Sequence, residues 1–321
     1  MDAVCCYAAV VSEHGQPGIY VEILIDAPLE RVWDLTQKPG VHQRWDLRFS
    51  RIEYIPRPSE SDPQQFLYET RIGAGLVIHG AGESVATRIA EGGSATSSLK
   101  FASDDRLSLI REGAGYWRYI PTPEGLRFLT WYDYRVRFGA AGRVLDRFFR
   151  PVMGWATAWS FDRMRLWAER DIAPETSMRL SAIHALCRFA IAAVWFWHGL
   201  VPKLLFRDLD ERLLLGRAGL PVVWLPWIGA AELAMALLVL STWRWRGMFV
   251  LQAFLMLVAL LAVALQSPAY LTHAFNPVTL NLLIAALASI GWIASKDLPT
   301  ASHCLRVDPR RSDAGQKTDN L

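Results

Sequence analysis

Five polar side chains lie in strongly apolar stretches of this 321-residue sequence: His198, Lys203, Glu232, Asn276 and Asn281. Ionisable groups are unfavourable inside a bilayer, so those that occur there are candidate sites for protons, ions or ligands. Glu232 is the most isolated, because it is the one charged residue in positions 218–243. It stands about ten residues into its apolar run, near the middle of a helix that would cross a membrane.

Two interpretations of Glu232 follow from this position. Its carboxyl group can be neutral or hydrogen-bonded and hold helices together through Asn281, His198 or Arg188. Alternatively, it lines a polar cavity that receives a proton, an ion or a quinone headgroup. For Arg188 and Lys203 a structural role is favoured, since long basic side chains can extend to the membrane interface.

The first half of the chain carries no recognisable catalytic set. His42 and His79 have no nucleophile or carboxylate at a motif-defined spacing, and Asp104 and Asp105 stand in a turn-like segment. The GAGESVA segment at 80–86 lacks the third glycine of a dinucleotide fingerprint and indicates a bulge or turn in a strand. The four cysteines form no CxxC pair and no tetrahedral ligand set. We therefore expect no catalytic residue, no metal and no cofactor.

Charge is distributed unevenly along the chain. Residues 1–178 hold 21 of the 34 Lys and Arg residues and 23 of the 31 Asp and Glu residues, whereas positions 247–295 hold none of either. The net charge of +3 is mild, and no arginine-rich stripe alternates with aromatic residues, which argues against a nucleic-acid partner. The pattern indicates a normally charged soluble part followed by a membrane part.

Four apolar stretches are long enough to cross a bilayer, which takes about 20 residues of helix. They comprise residues 182–203, 222–243, 247–266 and 276–295. Tryptophans gather toward their ends, where a helix meets the lipid headgroups. Four spans place both termini on one side of a cell (inner) membrane. Basic residues near the first span, in the second connection and in the tail predict that this side is the cytoplasm.

The membrane part resembles a known family over about 180–296. HGLVPKL at 198–204, GAAEL at 229–233 and NPVTLN at 276–281 are similar to segments of the DoxX-like family of small membrane proteins. The resemblance implies an all-α four-helix transmembrane bundle. It also implies proximity to membrane redox complexes, since the family is named after a subunit of a thiosulfate:quinone oxidoreductase. The sequence has no cysteine pair or haem motif that would itself carry electrons.

The soluble part has the order strand, two short helices, about six strands and a long helix. GIYVEILID at 18–26 has strand character, and PLERVWDLTQ and PGVHQRWD follow as helices. Alternating segments broken by turn residues extend to position 138. The helix at 142–170 has one apolar face. This face comprises Leu145, Phe149, Val152, Ala156 and Trp159.

This order resembles the START/polyketide-cyclase (SRPBCC) superfamily over about 18–170. The resemblance is carried by VEILIDAPLERVWDLTQKPGVHQRW at 21–45 and by the closing helix through Trp167. It implies an α+β helix-grip domain, in which an antiparallel sheet wraps around the long C-terminal helix and encloses a mostly apolar cavity. Eight aromatic side chains are candidates to line that cavity, each with plain core packing as the alternative: Trp33, Trp45, Tyr68, Phe101, Trp117, Trp131, Phe149 and Trp159.

The predicted organisation has five parts: an N-terminal segment at 1–17, a helix-grip domain at 18–170, a linker at 171–179, the membrane domain at 180–296 and a disordered tail at 297–321. Two functions remain open. In the first, which the sequence favours, the cytoplasmic domain is a binding module rather than an enzyme and takes up a hydrophobic or lipid-like molecule at the lipid bilayer. In the second, the chain is a subunit of a quinone-linked membrane redox complex.

Overall fold

The computed structural model describes residues 18–59, 62–89, 93–274 and 276–309. The predicted N-terminal segment at 1–17 lies outside the described residues. The chain divides into two compact units. Unit 1 contains the chain up to Ser177 together with the segment that begins at Pro299, and unit 2 contains Met178–Leu298.

Unit 1 is built on a seven-stranded antiparallel sheet. The strands are β1 (Ile19–Ile25), β2 (Arg51–Tyr54), β3 (Gln64–Gly73), β4 (Leu76–Ile89), β5 (Ala95–Ala102), β6 (Ile110–Thr122) and β7 (Gly125–Val136). Their order in the sheet is β1-β7-β6-β5-β4-β3-β2, so the first strand pairs with the last and β2 to β7 form a meander. A register shift between Ser84 and Ala86 marks a bulge, and the GAGESVA segment is therefore part of a strand, as predicted.

Three helices complete the N-terminal part of unit 1. Helices α1 (Leu29–Gln37) and α2 (Pro39–Trp45) connect β1 to β2, and α3 (Gly139–Arg170) follows β7. Alternate residues of β1 and β7 point toward α3, because side chains in a strand alternate between the two faces. The buried core formed in this way includes Val21, Ile23, Val32, Phe128 and Phe161. The arrangement is the α+β helix-grip fold that the sequence predicts.

A short segment near the end of the chain completes the sheet. The amide of Glu22 in β1 donates to the carbonyl of Leu305 at 2.9 Å, and the amide of Leu305 donates back to the carbonyl of Glu22 at 2.9 Å. Because β1 is an edge strand, this bridge covers part of its free edge. Unit 1 is therefore assembled from both ends of the described chain.

Side-chain contacts hold the same segment on α3. The carboxylate of Asp162, which is fully buried, accepts from the amide of Thr300 at 2.7 Å and contacts Nδ1 of His303 at 2.9 Å. The prediction of a disordered tail at 297–321 is therefore wrong for residues 299–305, and residues 310–321 lie outside the described part.

Unit 2 supplies the apolar helices. In the described residues, four helices are long and apolar enough to cross a membrane: Pro174–Leu205, Val222–Ser241, Gly247–Gln266 and Pro277–Ala294. The first consists of α4 (Pro174–His198) and a π-helical continuation (Gly199–Leu205). After the short α5 (Leu209–Arg217), the others contain α6 (Leu225–Ser241), α7 (Gly247–Gln266) and α8 (Pro277–Ala294). The predicted four-helix membrane domain is confirmed.

The linker is shorter than the predicted 171–179. Helix α4 already begins at Pro174, which leaves residues 171–173 outside the helices. Proline at the first position and Glu175 in the first turn both favour the start of a helix, which explains the early boundary. The first turn of α4, through Ser177, belongs to unit 1.

Large apolar side chains cover the outside of unit 2. The most exposed include Leu186, Trp197, Trp227, Leu237, Leu265 and Leu283, each at least 62% exposed. The interior is also mainly apolar, with Ile191, Val239, Phe249 and Ile284 among its buried residues. A helical unit that is apolar on the inside and on the outside is suited to lipid.

Candidate functional site

A cavity of about 590 Å³ lies within unit 1. Strands β2 to β7, residues 47–49 after α2 and the first half of α3 contribute to its wall. Its volume falls in the range of roughly 300–1,000 Å³ that small-molecule sites occupy. Aliphatic and aromatic side chains make up much of the wall, including Leu47, Phe49, Ile78, Leu99, Leu109 and Met153.

One part of the cavity wall carries a hydrogen-bonded polar cluster, formed by His42 and Arg48 around the fully buried Asp46. Nε and Nη2 of Arg48 donate to the two carboxylate oxygens of Asp46 at 2.9 and 2.6 Å. Nε2 of His42 lies 3.0 Å from Oδ2 of the same carboxylate. His42 and Asp46 are four residues apart at the end of α2, which places both groups on one side of the helix.

The charges in this cluster cancel. Burial alone would raise the pKa of Asp46, but the charge and hydrogen bonds of Arg48 outweigh burial and hold that pKa below its usual range. Burial likewise opposes the charge on Arg48, yet Asp46 raises its pKa above the usual value. Burial lowers the pKa of His42, so its imidazole is neutral at neutral pH. The cluster can therefore offer hydrogen bonds without presenting a net charge.

Two tyrosines add neutral hydroxyl groups to the cavity wall. The hydroxyl of Tyr132 lies 2.9 Å from Oγ1 of Thr157, and the ring of Tyr132 lies 5.4 Å from the guanidinium of Arg48. The hydroxyl of Tyr68 donates to the carbonyl of Ala102 at 3.3 Å. Burial raises the pKa of Tyr68 to about 12, so this phenol stays protonated at neutral pH.

Half of the predicted lining aromatics reach this cavity: Tyr68, Phe101, Trp117 and Phe149. Two of them depend on glycines in the neighbouring strands. A Cβ added at Gly80 would lie 2.3 Å from the hydroxyl oxygen of Tyr68, and one added at Gly113 would meet the ring of Phe101. The bare glycine backbone thus makes room for each ring.

The other four predicted lining residues lie elsewhere in unit 1, so their assignment to the cavity wall is wrong. Trp45 is fully buried in the core, where its indole donates to the Leu35 carbonyl at 2.7 Å. Trp33 and Trp159 pack against the same core. Trp131 lies between two cavity-lining residues of β7, so its side chain points to the opposite face of the sheet.

Sequence reasoning missed the polar cluster. The segment HQRWDLR at 42–48 contained a signal, since a histidine and an aspartate four residues apart on a helix can meet. A search for sequence motifs does not find this pair, because no catalytic motif has this spacing. The partner lies in the next turn of the chain rather than in a distant motif.

In unit 2, Lys203 is the centre of an ion-pair cluster. Its Nζ lies 3.1 Å from Oε2 of Glu232 in α6 and 2.9 Å from Oε1 of Glu211 in α5, and it donates to the His198 carbonyl at 3.3 Å. Lys203 is only 5% exposed. It belongs to the π-helical segment Gly199–Leu205, a type of structure that is frequent at functional sites.

Two glycines allow the helices that carry this cluster to approach closely. A Cβ added at Gly199 would lie 2.6 Å from the Gly229 carbonyl oxygen, and one added at Gly229 would lie 2.9 Å from the Gly199 carbonyl oxygen. Backbone contact at this crossing brings Lys203 next to Glu232. The HGLVPKL and GAAEL segments therefore meet in space.

The remaining predicted polar residues of unit 2 have separate places. Arg188 donates to the carbonyls of Val239 and Trp245 at 2.8 Å each and therefore does not pair with Glu232. Asn276 precedes α8, and its side-chain oxygen accepts from the Thr279 amide at 3.1 Å as an N-cap. Asn281 is buried within α8.

Comparison with known proteins identifies both the membrane unit and the family. Residues 192–289 match the model of the DoxX-like family. The chain is 44% identical over 215 residues to the uncharacterized membrane protein YndG of Bacillus subtilis (strain 168), an alignment that covers 65% of this chain and 77% of YndG. The chain belongs to the YndG family of membrane proteins. Its DoxX-like domain contains all five polar residues singled out in the sequence: His198, Lys203, Glu232, Asn276 and Asn281.

Solved structures of other proteins share weaker similarity with this YndG-family chain. The di-domain aromatase/cyclase StfQ from the steffimycin biosynthetic pathway is 15% identical, with a TM-score of 0.38 over 48% of this chain and 50% of StfQ. A STAR-related lipid transfer protein fragment from Xanthomonas axonopodis is 14% identical, with a TM-score of 0.35 over 45% of this chain and 81% of the fragment. The fold of unit 1 is assigned from the order of its elements and of the strands in its sheet.

Proposed function

We propose that this YndG-family membrane protein binds a small, mainly apolar molecule in the cavity of unit 1 and keeps it at the bilayer that holds unit 2. The cavity carries this proposal, because it combines about 590 Å³ of space with an apolar wall and one hydrogen-bonding cluster. Sites for small molecules have this composition, in which apolar surface supplies affinity and a few polar groups fix orientation.

The polar cluster narrows the class of ligand. His42 is neutral, and the charge of Arg48 is balanced by Asp46 at 2.6 Å. A carboxylate on the ligand would add an unbalanced negative charge beside Asp46. An apolar body with a carbonyl or hydroxyl oxygen would instead gain a hydrogen bond without that penalty. The proposed ligand is therefore neutral and carries at least one such oxygen.

We further propose that unit 1 faces the cytoplasm. Basic residues lie before or in the first turns of the first span (Arg170 and Arg179), between the second and third spans (Arg244 and Arg246) and after the last span (Lys296). The connection between the first and second spans carries three arginines, Arg207, Arg212 and Arg217. An excess of basic residues marks the cytoplasmic side of membrane proteins. A reporter protein fused after Leu321 is expected to be active in the cytoplasm, and activity outside the cell would contradict this orientation.

Neighbouring serines of β5 provide a matched test of ligand binding. Ser97 lines the cavity, whereas Ser98 points to the other face of the strand. A Ser97→Trp substitution should place an indole ring in the cavity and take up part of its space, and Ser98→Trp adds the same side chain outside it. The full chain is purified in detergent, and small molecules that remain bound are extracted and identified by mass spectrometry.

We expect the wild type and Ser98→Trp to retain a neutral molecule that Ser97→Trp loses. The proposal is wrong if the wild-type chain carries only lipid and detergent and Ser97→Trp carries the same molecules. An isoprenoid quinone retained equally by both variants would place the binding site outside this cavity and would favour the redox alternative.

A further inference from the structure

The first half of α3 has an apolar strip on the side away from the core. It consists of Val144, Leu145, Phe148, Val152 and Trp155, which are between 47 and 74% exposed. With 3.6 residues per turn, the five side chains fall within an arc of about 100° on the helix. We call these five residues the α3 stripe.

The two borders of the α3 stripe differ in chemistry. On one border the exposed residues Arg143 and Arg147 follow the helix. On the other border Phe149, Met153 and Ala156 form part of the cavity wall. The stripe therefore lies between a basic edge and the cavity, on a single continuous helix.

Other exposed apolar residues show where the cavity wall reaches the surface. Ile72 and Leu107 line the cavity and are themselves 52% and 54% exposed. An apolar wall that continues onto the protein surface is unusual in a protein surrounded only by water, where large exposed apolar patches mark interaction sites.

We propose that the α3 stripe docks on the surface of a lipid bilayer that contains anionic lipids. An apolar arc with a tryptophan and a flanking row of arginines is typical of helices that lie in the membrane interface, with apolar side chains about 5–10 Å deep and basic side chains at the headgroups. A bilayer is also within reach of α3, because residues 171–173 alone separate its last residue from the first membrane-spanning helix. Docking does not depend on the proposed ligand binding.

Site-directed spin labelling tests this docking in the full chain. Cys5 and Cys6 are replaced by Ser, and a nitroxide is attached to the cysteine of Phe148→Cys or, as a control, of Ile89→Cys. Ile89 is 76% exposed at the end of β4 and lies outside the stripe. The protein is placed in nanodiscs of phosphatidylcholine and phosphatidylglycerol. Collision of the label is measured with oxygen, which concentrates in lipid, and with a nickel chelate, which stays in water.

We expect the label at 148 to collide mainly with oxygen and the label at 89 mainly with the nickel chelate. Arg143→Glu with Arg147→Glu should move the label at 148 toward the water-like pattern. If the labels at 148 and 89 show the same collision pattern in a chain that keeps Arg143 and Arg147, the proposal is overturned.

Two further results would overturn docking on the bilayer, because they would show that the α3 stripe contacts something else. Low collision with both reagents, together with dipolar broadening between labels, would assign the stripe to a second copy of the chain. Low collision that is relieved by deleting residues 2–17 would assign it to the N-terminal segment. Repeating the measurement in the Ser97→Trp background separates docking from ligand binding, because docking is expected to persist there.

Discussion

Removing the charge of the buried Asp46 carboxylate is the strongest single test of the polar cluster. The Asp46→Asn substitution keeps the size of the side chain and removes its charge. Arg48, whose side chain is 12% exposed, would then hold a buried positive charge opposite an amide. Breaking a buried ion pair by removing one partner costs about 3–5 kcal/mol of unfolding free energy.

The expected loss is large enough to measure in the full chain. For a domain of this size, 1 kcal/mol corresponds to roughly 2–4 °C in Tm, so the predicted loss lowers the Tm of unit 1 by roughly 6–20 °C. Hydrogen exchange with peptide mass spectrometry along a temperature ramp separates β6 and β7 from the helices of unit 2. The chain is studied in nanodiscs.

The double variant Asp46→Asn with Arg48→Met is the control. It removes both charges, so it should recover much of the stability that Asp46→Asn loses. A shift of 2 °C in Tm corresponds to about 1 kcal/mol. If the Tm of Asp46→Asn lies within 2 °C of the wild-type Tm, the buried ion pair does not stabilise unit 1 as proposed. A double variant less stable than the single one would refute this stabilising role as well.

The ion pair between Asp46 and Arg48 also makes the stability of unit 1 depend on pH. The pKa of Asp46 in the folded chain lies below the value of about 3.9 for an unfolded aspartate. The carboxylate therefore stabilises unit 1 above that unfolded value, and this stability is lost as the pH falls toward the folded pKa. The difference in Tm between wild type and Asp46→Asn should be constant from about pH 5 to 8 and shrink below about pH 4.

Two other contacts give independent predictions. Truncation after Leu298 removes two backbone hydrogen bonds and two partners of Asp162. Because each neutral bond contributes ~1 kcal/mol and each bond to the carboxylate ~1.5–3 kcal/mol, amide exchange in β1 should accelerate at least tenfold. Truncation after Asp308 is the control and should leave amide exchange in β1 unchanged. In unit 2, Lys203→Met leaves Glu232 without its cation and should lower the Tm of the detergent-solubilised chain, while Lys203→Met with Glu232→Gln should recover part of the loss. Equal effects of both truncations, or no recovery in the double variant, would contradict these assignments.

Helix α3 illustrates what periodicity can and cannot predict. Apolar residues at every third or fourth position predicted a long helix, and the helix is present. The same pattern grouped Leu145 and Val152 with Phe149 and Ala156 on one face. In the structure the first two are exposed and the second two line the cavity. The apolar arc of α3 is wider than the part of the helix that the sheet covers. The sequence pattern therefore predicts the apolar arc but not which of its residues the sheet buries.

Contacts between residues that are far apart in the chain could not be predicted from the sequence, for a related reason. Runs of about 20 apolar residues identify spans and alternation identifies strands, because each pattern is local. The contact of Lys203 with Glu232 depends on a close crossing between two helices. The pairing of Leu305 with Glu22 depends on a chain that returns to its first strand after four spans. Neither pairing leaves a local periodic signal.

The bridge between Glu22 and Leu305 also sets an order of events during synthesis. About 120 residues of unit 2 must be made between the two parts of unit 1, which takes on the order of 6–24 s at typical elongation rates. Throughout that time the free edge of β1 is open while the apolar helices emerge from the ribosome. An open edge strand is a template for wrong pairing. A chaperone or the insertion machinery that delays release of the nascent chain would therefore protect unit 1 until residues 299–305 have been made and can pair with β1.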